Sequence, residues 1–205
     1  MRNCGLFIIL LAWIPMLGCA RPGGAPGYQQ TSEQTTASEN SVGTESKASD
    51  ATPAPAVSEV RVVDENQFQS VLDELKGKVV LIDFWGTWCP PCLELLPHTV
   101  EAAAKYGPRG FVVVAVAIDD PADIAAVDAK LSQRSGYVLP FLSKYGVSSE
   151  SVEKFGISDG ALPHLKLLDR SGKVVETFGV GGTPPNAENI DAAIERIFAS
   201  SAEAS

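Results

Sequence analysis

Val79-Val80-Leu81-Ile82-Asp83-Phe84-Trp85-Gly86-Thr87-Trp88-Cys89-Pro90-Pro91-Cys92 is the stretch whose reading decides the fold. Its first seven residues are β-branched or otherwise apolar apart from Asp83, as in a strand covered on both faces. The chain from Pro90 to about Tyr106 reads as a helix. Pro90 and Pro91 fall in its first turn, where amide hydrogens have no intrahelical acceptor and proline is tolerated. Cys89 therefore stands at a helix start. Unpaired N–H groups and the positive end of the helix dipole there favour a thiolate and lower the thiol pKa. Cys89, nearest the helix end, is expected to be exposed, and Cys92, one turn in, buried. An accessible low-pKa thiol with a second cysteine three residues on can exchange disulfides.

Toward the N-terminus, Arg2 precedes an apolar run from Leu6 to Leu17 that stops at Gly18-Cys19. The run is too short for a mature membrane span, so residues 1–18 read as a secretory signal. Met16-Leu17-Gly18-Cys19 resembles the lipobox of bacterial lipoprotein signals, in which the cysteine is lipidated and becomes the mature N-terminus. Ordinary cleavage nearby and an uncleaved anchor stay open as alternatives. Residues 19–56 are Gly, Pro, Ser, Thr, Gln, Glu and Ala with almost no large apolar side chain. Such a segment cannot bury enough surface to offset its ordering entropy and is expected to be a disordered tether to a domain over 57–205. On this reading Cys4 would go with the signal and Cys19 would be blocked by lipid, which would leave Cys89 and Cys92 as the free thiols of that domain. A two-residue gap constrains an unfolded chain little, so this pair reads as a reagent rather than a staple. The net charge of −9 and the lack of any basic run argue against nucleic acid as a partner.

The remaining pattern alternates strand and helix. Glu59 to Val63 suits a short first strand, and Phe68, Val71, Leu72 and Leu75 suit a helix over 66–76 capped by Gly77. Phe111 to Ile118 reads as a second buried parallel strand, reached by a right-handed crossover. Pro97 is expected to kink the intervening helix. Beyond Pro121 the pattern predicts a helix over 122–134, a strand over 137–142 broken at Pro140, and a short helix over 148–155. Leu165 to Leu168 and Lys173 to Phe178 flank a four-residue turn as a hairpin. Ile190, Ala193, Ile194 and Ile197 line one face of a closing helix. The class is α/β.

Asp83 through Cys92 resembles the active-site segment of the thioredoxin superfamily, and in particular its TlpA/ResA-like branch of bacterial envelope thiol-disulfide oxidoreductases. The resemblance covers roughly Val57 to Phe198. It implies a thioredoxin fold, a central mixed sheet flanked by helices, with an insertion between the βαβ and ββα halves. Pro97 matches the kinking proline five residues past the second cysteine. The resemblance makes Asp83 the buried proton acceptor for Cys92, although many members of the branch have another residue there. From the residues alone, Asp83 could be a strand-end carboxylate with a solvated hydrogen bond. A carboxylate isolated in an apolar run costs several kcal/mol without a task or a partner, which favours the functional role. Trp88 would flank the nucleophile, while Phe84 and Trp85 pack. Sequence statistics favour a trans bond before Pro163; the resemblance implies a cis-proline against the disulfide, with the Leu162 backbone free to pair with an extended substrate. Leu95 stands where the branch often carries a glutamate, a departure from its cytochrome-maturation members.

The implied function is protein thiol-disulfide exchange through Cys89 and Cys92, with the protein as a reductant fed by a membrane electron donor in an extracytoplasmic space. Its partners would be proteins with thiols or disulfides. The redox group is the cysteine pair itself, with no separate cofactor and no metal expected. Two alternatives are a copper metallochaperone holding metal through both thiolates and His164, and a thiol peroxidase. Copper-assembly relatives resemble a wider cysteine spacing, and a zinc site would want more ligands than two cysteines, His98 and His164. Both histidines, and Glu94, read more simply as helix-surface and strand residues. A peroxidase needs only one activated cysteine.

Overall fold

The computed structural model describes residues 56–182 and 185–202. The expected signal peptide, Cys19 and the tether up to residue 55 lie outside the described residues. In chain order the elements are β1 (Arg61–Val63), α1 (Glu65–Glu74), β2 (Val79–Trp85), α2 (Pro90–Tyr106), β3 (Phe111–Ala117) and α3 (Ile124–Lys130). They continue as β4 (Val138–Ser143), α4 (Ser149–Lys154), β5 (His164–Leu168), β6 (Val174–Phe178) and α5 (Ala187–Ala202). One sheet runs β1-β4-β3-β2-β5-β6, parallel from β1 to β2 and antiparallel at β5 and β6. The βαβ half (β2-α2-β3) and the ββα half (β5-β6-α5) are those of a thioredoxin fold. The insertion between them, α3-β4-α4, adds β4 to the sheet between β3 and the edge strand β1.

Every residue of β2 is buried, because it has a strand on each side and a packed layer on each face. Successive side chains point to opposite faces. Val79, Leu81 and Trp85 join Cys92, Leu96, Ala103 and Tyr106 of α2 and Ile190 and Ile194 of α5 in one core. Val80, Ile82 and Phe84 join Phe68 of α1 with Phe155 and Ile157, which flank the C-terminal side of α4, in the other. Phe68 and Phe155 meet edge to face, with ring centroids 5.3 Å apart. Asp83 falls on the α2 face by the same alternation.

The structure corrects several expected boundaries. The first strand is shorter, Arg61–Val63. Asp64 ends it and starts α1 with a capping box, accepting from Gln67 N at 2.9 Å while Gln67 Oε1 accepts from Asp64 N. The helix expected over 122–134 is only Ile124–Lys130, preceded by a 3-10 turn at Pro121–Asp123. Arg134 leaves the helix and donates its guanidinium to the carbonyls of Leu131 and Ser58, and Ile124 turns out to be solvent-facing while Val127 and Leu131 are buried. Pro140 does not break its strand. Val113 N donates to Tyr137 O, which by alternation turns the Pro140 nitrogen away from β3, and pairing with β1 starts only at Phe141. The missing donor is therefore never required. Among the described residues no helix is long and apolar enough to cross a membrane.

Candidate active site

Cys89 is the N-cap of α2, with extended backbone (φ −102°, ψ 98°), and Pro90 and Pro91 occupy the first turn. Its carbonyl accepts from Leu93 N at 3.1 Å, the first bond of the helix. Cys89 and Cys92 form a disulfide, with Cα atoms 5.3 Å apart. Cys92 is buried as expected, at 2% exposure, but Cys89 is also buried, at 4%. The expectation of an exposed Cys89 is therefore corrected for this oxidised form. Cys89 packs into the α2-side core with Trp85, and Leu162 packs against the same cluster.

Asp83 lies beneath α2 at 2% exposure. Thr99 Oγ1 donates to Asp83 Oδ2 at 3.0 Å, so the solvated alternative is excluded. Thr99 reaches it because it stands seven residues past Cys92, two helical turns on the same face. Burial pushes the Asp83 carboxyl up from 3.8 to about 7, against the opposing pull of the Thr99 hydrogen bond. The acid is thus poised to change protonation near neutral pH.

The Leu162–Pro163 bond is cis. Gly179 makes room for this loop: a Cβ there would lie 2.1 Å from Pro163 O, and its φ of +84° is a left-handed conformation natural only to glycine. Trp88 is half exposed, at 52%. Its Nε1 donates to Ile118 O at 3.0 Å, and its ring folds back over Gly86, where a Cβ would lie 2.9 Å from ring atoms. Trp88 and Leu162 line one groove of about 270 Å³, together with Ile118, Val147, Val152 and Ile157. None of its lining residues is charged. A larger cavity, about 330 Å³, opens between α2 and the end of α3 and includes none of the expected site residues.

The histidines lie apart from this constellation. His98, on α2, places Nε2 3.4 Å from Asp191 Oδ1 of α5. His164 is wholly buried in β5, neither ring nitrogen has a hydrogen-bond partner, and its ring centroid lies 6.0 Å from that of Phe84. Burial, helped by the nearby Lys166 charge, holds the His164 pKa below its usual value. Phe84 belongs to the α1-side core, whereas both cysteines belong to the α2-side core. Among the described residues no cluster of three or more His, Cys, Asp or Glu is arranged to hold a metal. Glu94 is exposed, and Leu95 is buried in the α2-side core.

Sequence reasoning missed Thr99, the α4-side walls of the groove, Gly179, and a fastening of the loop before Cys89 by Asp119. Only Thr99 had a usable signal, its helical spacing from Cys92.

A thioredoxin fold with a Cys-Pro-Pro-Cys disulfide at the start of α2 and a cis-proline loop defines a thiol-disulfide domain of the thioredoxin superfamily, of the TlpA/ResA-like kind. The Redoxin family model matches residues 48–194, and the chain belongs to that family. It is 36% identical over 109 residues to the thiol-disulfide oxidoreductase ResA of Bacillus thuringiensis strain Al Hakam, covering 51% of this chain and 57% of that protein. The ResA of Halalkalibacterium halodurans is 29% identical over 128 residues, covering 62% of this chain and 69% of that protein. The match thus spans little more than half the length of the first of these relatives. A putative thiol:disulfide interchange protein DsbE from Chlorobium tepidum superposes with a TM-score of 0.49 at 30% identity, covering 62% of this chain and 84% of that one.

The Asp83 pKa carries a stability consequence. Below 3.8 the carboxyl is protonated in both folded and unfolded chains, so burial then carries no charge penalty. Between 3.8 and about 7 the unfolded chain releases a proton that the folded one keeps, and stability falls as pH rises. Asp83→Asn should therefore stabilise the oxidised protein by up to roughly 4 kcal/mol at about pH 8, with most of that gain gone by about pH 4. Denaturant unfolding at the two pH values checks it, and an equal gain at both would contradict the assignment. Gly179→Ala should lower stability by at least about 2 kcal/mol in the same assay, because a backbone atom blocks the new methyl group.

Proposed function

We propose that this protein is a thiol-disulfide oxidoreductase that exchanges disulfides with other proteins through Cys89 and Cys92. The observation that carries the reading is the disulfide at the N-terminus of α2 with a buried carboxylate of pKa about 7 on the same side of the sheet. In the reduced protein the helix start favours the Cys89 thiolate. That thiolate attacks a substrate disulfide, forming a mixed disulfide and expelling one substrate thiolate. Cys92, buried and so slow to ionise, gives its proton to Asp83, directly or through a water. The Cys92 thiolate then attacks the Cys89 sulfur, closing the Cys89–Cys92 bond and expelling the second substrate thiolate. Two electrons pass from protein to substrate, and both substrate sulfurs leave as thiols once protonated.

Trp88, Leu162 and Pro163 are the substrate-contacting residues in this reading. An extended segment would pair with the Leu162 backbone while apolar side chains fill the uncharged groove. The thioredoxin-like Asp83 supports action as a reductant, and electrons would come from a membrane donor. The signal-like residues 1–18 support an extracytoplasmic location, with lipidated Cys19 as anchor and residues 19–56 as tether to the domain. The copper reading gains nothing from His164, whose ring packs with Phe84 on the far side of the sheet from the cysteines.

Cys92→Ser removes the resolving thiol and should leave Cys89 joined to whatever it attacks. In the native cell, discrete higher-mass species that collapse on reduction are expected, and Cys89→Ser should form none. A folded, expressed Cys92→Ser protein without such species would overturn the exchange reading. Identification of the trapped proteins would name the substrates.

A further inference from the structure

Asp119 is a buried carboxylate that the exchange chemistry does not use. It is 2% exposed and lies just past β3, where Ile118 N donates to Trp85 O at 2.8 Å. Its oxygens serve Thr87. Thr87 N lies 3.1 Å from both of them, and Thr87 Oγ1 donates to Oδ1. The neighbouring Trp88 Nε1 donates to the carbonyl of the neighbouring Ile118. Residues 86–88, the link from β2 to α2, are therefore fastened to the end of β3 at two successive positions. Cys89 N donates back to Gly86 O at 3.1 Å, so the helix N-cap inherits the position of this link.

We propose that Asp119 is a positioning residue for the exchange site: acting through Thr87, it holds Trp88 across the apolar groove and sets Cys89 at the start of α2 for a protein substrate that packs on Trp88. This deepens the thiol-exchange reading and rests on it. By contrast, the turn between β5 and β6 is tied down by an exposed Asx-type arrangement of Asp169 with Ser171 and Lys173. A buried carboxylate carries a desolvation cost that such turns avoid. Here it is placed on the one link that bears the reactive cysteine. A charge-assisted bond to a carboxylate oxygen is also shorter and stronger than a neutral one. What it gives the site is a fixed ring beside the nucleophile rather than a swinging one.

The test uses amide exchange and kinetics on the full chain. In Asp119→Ala, the Thr87 amide and the Trp88 indole N–H should exchange with deuterated water at least about tenfold faster, with β2 and β3 amides unchanged. The rate of insulin reduction, as kcat/KM, should fall about tenfold, mostly through KM, while dithiothreitol reduces the Cys89–Cys92 disulfide at a rate within about threefold of the parent. Asp119→Asn keeps an acceptor oxygen at Oδ1 and should retain the N–H protection. Thr87→Val removes only the hydroxyl arm; it should speed exchange at Thr87 by about threefold and stands in if Asp119→Ala does not fold. Unchanged protection at Thr87 and Trp88, or loss shared equally by the whole sheet, would overturn the proposal, as would an unchanged KM for insulin. If the parent protein reduces no protein disulfide, the exchange reading itself has failed, and with it the functional half of the proposal. The N–H protection then still decides whether Asp119 fixes the loop.

Discussion

The structure depends on β2 being covered on both faces and both edges while still carrying a carboxylate. Each apolar residue of that strand has a partner layer, because its side chains alternate between the two cores on either side of the sheet. Asp83 is the exception to its composition. Because side chains alternate along a strand, a shift of one residue would have put this carboxylate against Phe68 and Phe155 rather than under α2. Its present place gives it one hydrogen bond, from Thr99, and too little water to stay charged with ease. A group that costs the fold stability above neutral pH is the group best able to take a proton there.

The same economy of position shapes the surface above it. The two cysteines have little surface of their own, since both are buried in the disulfide form, while Pro90 and Pro91 between them are exposed. An apolar rim is also presented to solvent: Trp88 from the link before the helix, and Val147, 63% exposed, from the inserted segment. Leu162 joins them from the loop that Gly179 lets approach. The insertion thus does more than widen the sheet, because residues beside and within α4 form one wall of the groove.

Much of this was legible in the chain. β2 and α2 run from Val79 to Trp85 and from Pro90 to Tyr106, as their apolar run and paired prolines imply. The hairpin and the face of α5 were equally plain, because period and turn chemistry are local. Three kinds of feature were not legible. The exposure of Cys89 depends on the α2-side core into which it packs, a cluster gathered from segments far apart in the chain. Pro140 reads as a strand breaker until the sheet order shows that no strand lies opposite its nitrogen. Asp119 stands between the apolar run of β3 and Asp120-Pro121 with no local sign of a partner, and only the fold brings it to Thr87, 32 residues earlier. The cis bond before Pro163 was expected from family resemblance, against the bare preference of the peptide bond.

The central claim is that Cys89 and Cys92 are a reagent rather than a staple, held at a potential suited to reducing other proteins. Equilibration of the oxidised protein with dithiothreitol and glutathione couples would give that potential directly. The account predicts a value near thioredoxin's, about −270 mV. A value near about −120 mV would reverse the direction of electron flow, and one well below about −300 mV, where structural disulfides lie, would contradict the account.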